Sequence, residues 1–88
     1  MSAMVTTRIP GLPGEAYDQI ASQLDGALRN APGFIAHAAT VDPDGITVTE
    51  LWEAEANWQQ FFDTYVKPNL PAGVPTPSVT NLRNTIVR

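Results

Sequence analysis

The 88 residues predict an α+β domain of the ferredoxin-like type, ordered β-α-β-β-α-β: a four-stranded antiparallel sheet with two helices on one face. Three observations carry this. The hydrophobic period switches back and forth between strand-like and helix-like along the chain. Proline and glycine clusters cut the chain where the period switches. The tight turn Asp42-Pro43-Asp44-Gly45 joins two strands directly into a hairpin.

Each element follows from its residues. Positions 3–9 read as a strand, with Val5, Thr6, Thr7 and Ile9 β-branched. Pro10-Gly11-Leu12-Pro13-Gly14 ends it. From 14 to 30 the pattern is helical: Tyr17, Ile20, Ala21, Leu24 and Leu28 make one apolar stripe. Pro13 suits the first turn, Glu15 and Asp18 favour the positive end of the helix dipole, and Gly26 falls on the solvent side. Ala31-Pro32-Gly33 closes the helix. Strands at 34–41 and 46–53 form the hairpin. Positions 54–67 are helical again, with an aromatic stripe of Trp58, Phe61, Phe62, Tyr65 and Val66, and Pro68 ends that helix. A long loop holds Pro68, Pro71, Pro75 and Pro77, half of the 8 prolines, before a β-branched strand at 78–87.

Composition removes several function classes. The chain is acidic, with net charge −4 and pI about 4.6. Its 5 basic residues (Arg8, Arg29, Lys67, Arg83, Arg88) are scattered, which argues against nucleic acid and against anionic membrane surfaces as partners. No apolar run reaches the roughly 18 residues of a membrane span. The first eight residues lack the charged and apolar regions of a cleaved signal, so a cytoplasmic protein is expected. There is no cysteine, hence no disulfide, thiolate metal site or cysteine nucleophile. The lone histidine has no Asp/His set around it, so no metal is expected. No glycine-rich phosphate loop or nucleophile elbow is present.

The turn sets the hairpin register. If Val41 pairs with Ile46, then Ala39 faces Val48, His37 faces Glu50 and Ile35 faces Trp52 on one side of the sheet. Phe34, Ala36, Ala38 and Thr40 lie on the other, against Thr47, Thr49, Leu51 and Glu53. A solvated sheet face normally carries more charge than this second one. It is therefore expected to meet a second copy of the chain across a two-fold axis. A domain of this size buries only about 60% of its unfolded surface, which makes such added burial useful.

The first side holds the residues capable of chemistry. His37 beside Glu50 is a candidate proton acceptor or donor, since a carboxylate favours the charged ring and orients its tautomer. A cross-strand structural pair is the plainer reading. Trp52 and Trp58, with Phe61, Phe62 and Tyr65, are placed to wall a pocket for a flat aromatic ligand between helix and sheet, or simply to fill the core. Asn57 and Arg83 are candidates for a ligand carbonyl or carboxylate, against the plainer reading of each as a surface residue.

The segments Pro32-Gly33-Phe34-Ile35-Ala36-His37, Val48-Thr49-Glu50-Leu51-Trp52-Glu53 and Trp58-Gln59-Gln60-Phe61-Phe62 resemble the antibiotic biosynthesis monooxygenase-like proteins of the dimeric α+β barrel superfamily. So do the turn to Gly45, Lys67-Pro68-Asn69-Leu70, the proline-rich loop and the closing strand. The resemblance spans nearly the whole chain. It implies a homodimer whose sheets face each other through the Phe34/Ala36/Ala38 side. It also implies a ligand cleft on the His37/Glu50/Trp52 side. Characterised members include cofactor-independent oxygenases of aromatic polyketides and haem-degrading enzymes. The haem-degrading branch carries an Asn on the first strand and a His on or after the second helix. Here Thr6 and Thr7 occupy the first strand, and the second helix has no histidine. The oxygenase branch lines its cleft with Asn, Trp, Tyr and Arg; Asn57, Trp58, Tyr65 and Arg83 are of those types in comparable elements.

The expectation is a homodimeric monooxygenase that needs no cofactor and oxidises an aromatic or polycyclic small molecule. His37 and Glu50 would be its catalytic residues, and Trp52, Asn57, Trp58, Phe62, Tyr65 and Arg83 its substrate-binding residues. The alternative is a dimer of the same fold that binds a ligand without chemistry or is purely structural. An empty volume beside His37 separates the ligand-binding readings from the structural one.

Overall fold

The computed structural model describes residues 1–70 and 73–88; Pro71, part of the expected proline-rich loop, lies outside the described residues. The order is β1 (Ala3–Pro10), α1 (Gly14–Asn30), β2 (Phe34–Asp42), β3 (Gly45–Trp52), α2 (Glu55–Phe61) and β4 (Ser78–Asn81). The four strands make one sheet in the order β2-β3-β1-β4, with every pairing antiparallel. Both helices pack on one face, over a core of Val5, Leu28, Trp52, Trp58 and Phe61. This is the ferredoxin-like α+β arrangement.

The hairpin follows the expected register from Val41↔Ile46 through His37↔Glu50 to Ala36↔Leu51. There a β-bulge intervenes. Trp52 pairs with Phe34, not with Ile35. The extra residue turns Phe34 from the open face to the helix-covered one, where its ring meets Trp52 edge-on at 5.4 Å and 71°. Gly45 closes the turn at φ +150, and a Cβ there would strike the Ile9 carbonyl oxygen of β1. Only glycine lets the hairpin tip lie this close to the neighbouring strand.

Two elements depart from expectation. The second helix does not run as α-helix to position 67. It widens into a π-turn at Phe62–Val66 and tightens into a 3-10 turn at Lys67–Asn69. In an α register the ring of Pro68 would crowd the carbonyl of Thr64 and leave it without a donor. The wider turn, with Lys67 N–H donating to Phe62 O, carries the chain past it. The last strand stops at Asn81 rather than 87. Asn81 pairs with Ala3, where β1 begins, so the residues beyond it run past the end of their partner strand. Ile86 and Val87 are left 88% and 60% exposed.

The open sheet face holds Met4, Thr6 and Arg8 of β1 against Leu51, Thr49 and Thr47 of β3, with Ala38 and Thr40 beyond. Its one ion pair is bidentate: Arg8 Nη1 and Nη2 lie 2.7 and 2.9 Å from the two Asp42 oxygens. Asp42 also accepts the Asp44 N–H at 2.8 Å. Chiefly through the Arg8 hydrogen bonds, and then this backbone bond, the Asp42 carboxyl is held down to about 2 from 3.8. Because the folded value is depressed, the stabilisation is complete above about pH 4 and disappears as pH falls through about 2. NMR titration of Asp42 is expected to find a midpoint near 2 in the native chain. In Arg8→Gln it is expected to return most of the way to 3.8.

Candidate functional site

The apolar stripe of α1 does not lie flat on the sheet. Tyr17, Ile20, Ala21 and Leu24 face a cleft of about 650 Å³ that opens between α1, the sheet and the second helical segment. A ligand site of ordinary size falls within a few hundred to a thousand Å³. Near the end of α1 the stripe closes onto the core: Leu28 is buried in it and Leu24 packs against it. The far wall is aromatic: Trp58 packs on Phe62 at 5.1 Å and Phe61 on Tyr65 at 5.0 Å. The π-turn supplies Phe62, Tyr65 and Val66 to this wall.

Against this apolar lining the floor carries a directed polar chain. His37 Nδ1 lies 2.7 Å from Glu50 Oε2, as the strand pairing dictates. The Trp52 indole N–H donates to Glu50 Oε1 at 3.0 Å. On the other side of the ring, the Tyr17 hydroxyl is 2.5 Å from His37 Nε2. An ionised carboxylate only accepts, so the His37 ring hydrogen sits on Nδ1. When the ring is in that neutral tautomer, Nε2 is the acceptor and the Tyr17 hydroxyl donates to it. Burial, and secondarily the charges of Glu50 and Asp18, raise the Tyr17 pKa above its usual 10.0.

The residues singled out in the sequence divide. His37, Glu50, Trp58, Phe62 and Tyr65 come together on the cleft wall. Trp52 does not reach it. It is fully buried behind Glu50, between Phe34 and Phe61. Asn57 is turned away by its place on the helix, about 100° round from Trp58. It faces a second groove of about 400 Å³, shared with Gly26, Asn30, Gln60 and Thr64. Arg83 is exposed in the chain that follows β4. Tyr17 was not among the expected site residues. A tyrosine in an apolar stripe reads as packing, and the signal available was that its hydroxyl needs a partner once half-buried.

No protein-family model matches the sequence, and no curated protein is significantly similar to it. The fold, however, is that of the antibiotic biosynthesis monooxygenase-type proteins of known structure. A heme-degrading protein of Mycobacterium tuberculosis superposes with a TM-score of 0.71 at 17% identity, over 100% of this chain and 98% of its own. SnoaB, a cofactor-independent oxygenase of Streptomyces nogalater, gives 0.69 at 10% identity over 99% and 97%. A Streptomyces coelicolor monooxygenase in complex with nanaomycin D gives 0.61 at 19% identity over 99% and 91%. The chain offers a haem iron no free histidine. His37 is the chain's one histidine, and both of its ring nitrogens are engaged by Glu50 and Tyr17.

Proposed function

We propose that this protein is a cofactor-independent monooxygenase acting on a flat aromatic or polycyclic molecule bound between the sheet and the helices. The observation that carries this reading is the 650 Å³ apolar cleft with the His37–Glu50 pair on its floor. Such an arrangement suits a substrate whose ring is held by apolar walls and whose one ionisable group lies at the polar floor. Trp58, Phe62 and Tyr65 hold the ring. The His37–Glu50 pair is the final acceptor when a phenolic or enolic hydroxyl gives up its proton. The resulting electron-rich anion passes an electron to O2, and recombination forms a C–O bond to a hydroperoxide. Loss of water leaves a ketone, so that CH2 plus O2 becomes C=O plus H2O. Similarity of fold to SnoaB and to the nanaomycin D complex supports the reading.

With an anthrone as substrate, His37→Gln is expected to lower the rate of oxygen uptake by about 10²–10⁴-fold. Unchanged uptake removes the pair from the reaction. Binding of the anthrone without any uptake by the native protein leaves a ligand-binding protein in place of an enzyme.

The working particle is a homodimer joined through the open sheet face. That face is rich in Ala and Thr with Met4 and Leu51, and the apolar tail at Ile86 and Val87 projects beyond the sheet. Sedimentation at micromolar concentration is expected to give about 19 kDa, twice the 9.5 kDa chain. A single 9.5 kDa species contradicts the dimer.

A further inference from the structure

Neither nitrogen of His37 is open to a ligand. Nδ1 is taken by Glu50 and Nε2 by Tyr17. Trp52 occupies the other Glu50 oxygen from behind. The hydrogen bonds therefore run one way, from Tyr17 to His37 to Glu50, with Trp52 fixing the far end. The near end is the Tyr17 hydroxyl oxygen, on the cleft wall. Its hydrogen is committed to His37, and its remaining lone pairs have no donor among the described residues. A hydroxyl oxygen in that state accepts a hydrogen bond from whatever O–H enters the cleft.

We infer that Tyr17 is the catalytic residue that meets the ionisable hydroxyl of a phenolic or enolic substrate, and that His37 acts on that substrate only through it. The inference rests on the reading of the cleft as an aromatic-ligand site. In the proton transfer the substrate O–H bond breaks and its proton bonds to the Tyr17 oxygen. Tyr17's own proton passes to His37 Nε2. The products are an aromatic enolate, a neutral tyrosine and an imidazolium facing the Glu50 carboxylate. Tyr17 ends the step as it began. That suits a phenol which its burial and its charged neighbours, Glu50 and Asp18, keep from resting as phenolate. Glu50 and Trp52 are positioning residues: they hold the ring in the tautomer whose Nε2 can accept.

The inference also bears on ligand choice. The cleft favours flat rings bearing a free phenolic or enolic hydroxyl conjugated with the reacting carbon. The same ring with its phenol and enol oxygens all methylated offers Tyr17 no donor and is not ionised.

The test uses 1,8-dihydroxyanthrone under nitrogen, so that no turnover follows binding. Enolate absorbance of the bound probe is followed against pH for the native protein, Tyr17→Phe and His37→Gln. The native protein is expected to ionise the probe at a pH at least one unit below the free probe, about a tenfold rise in the ionised fraction. Tyr17→Phe and His37→Gln are both expected to bind the probe and to lose that shift. A full shift in Tyr17→Phe overturns the inference, since His37 then reaches the ligand directly. Binding by the native protein with no shift also overturns it, while the aromatic-ligand reading stands. No binding at all removes that reading first. Should Tyr17→Phe lose its melting transition, 1,8,9-trimethoxyanthracene, in which the enol and both phenols are methylated, and the native protein keep the test open. The ether is expected to bind about tenfold more weakly than the dihydroxy probe, and equal binding overturns the inference.

Discussion

Trp52→Ala is expected to destabilise the protein by about 3–5 kcal/mol, enough to leave much of it unfolded at 37 °C. Trp52 is the largest fully buried side chain, packed between Phe34 at 5.4 Å and Phe61 at 5.5 Å. Removing it empties the space between β2, β3 and α2 and leaves the buried edge of Glu50 without its donor. For a domain this small, each kcal/mol lowers Tm by roughly 4–8 °C. Trp52→Phe separates the two contributions. It keeps most of the ring packing and loses only the indole N–H, for about 1–2 kcal/mol. Thermal melts of the two variants should therefore differ widely. Equal losses would mean that the hydrogen bond, not the ring, accounts for the position.

Glu50→Gln is expected to lower anthrone oxidation by about 10²–10⁴-fold while costing little stability. The change is isosteric, so the strand pair His37↔Glu50 and the Trp52 contact keep their geometry. What changes is direction. A glutamine amide is able to donate to Nδ1, which places the ring hydrogen on Nε2. Nε2 then no longer accepts from Tyr17, and the chain of hydrogen bonds stops there. The loss should fall on kcat more than on KM, because Trp58, Phe62 and Tyr65 still hold the ring. A Glu50→Gln variant with native kcat would show that the carboxylate merely packs.

How much of this was legible in the sequence depends on the kind of signal. The alternation of periods and the Asp-Pro-Asp-Gly turn placed His37 opposite Glu50 correctly, because a turn of known length propagates its register along both strands. The bulge at Ile35 had no such signal. A bulge inserts one residue without altering composition, so Phe34 appeared on the wrong face. Trp52 was rightly put on the helix side, but alternation gives the side and not the depth. Asn57 lost its place through a single helical step. β4 looked long because its residues favour strands; its length is set by where β1 begins, which is a property of the pairing. Tyr17 was hidden for a different reason: its partner lies 20 residues away on another element, and only the fold brings them together.

The most direct test of the account is an NMR titration of the native protein with 1,8-dihydroxyanthrone under nitrogen, following backbone amides and the tryptophan indole signals. Binding in the cleft predicts saturable shifts concentrated at Tyr17, His37, Glu50, Trp58 and Phe62, with the groove at Asn30 and Gln60 unmoved. Shifts confined to that groove, or none at millimolar probe, would contradict it.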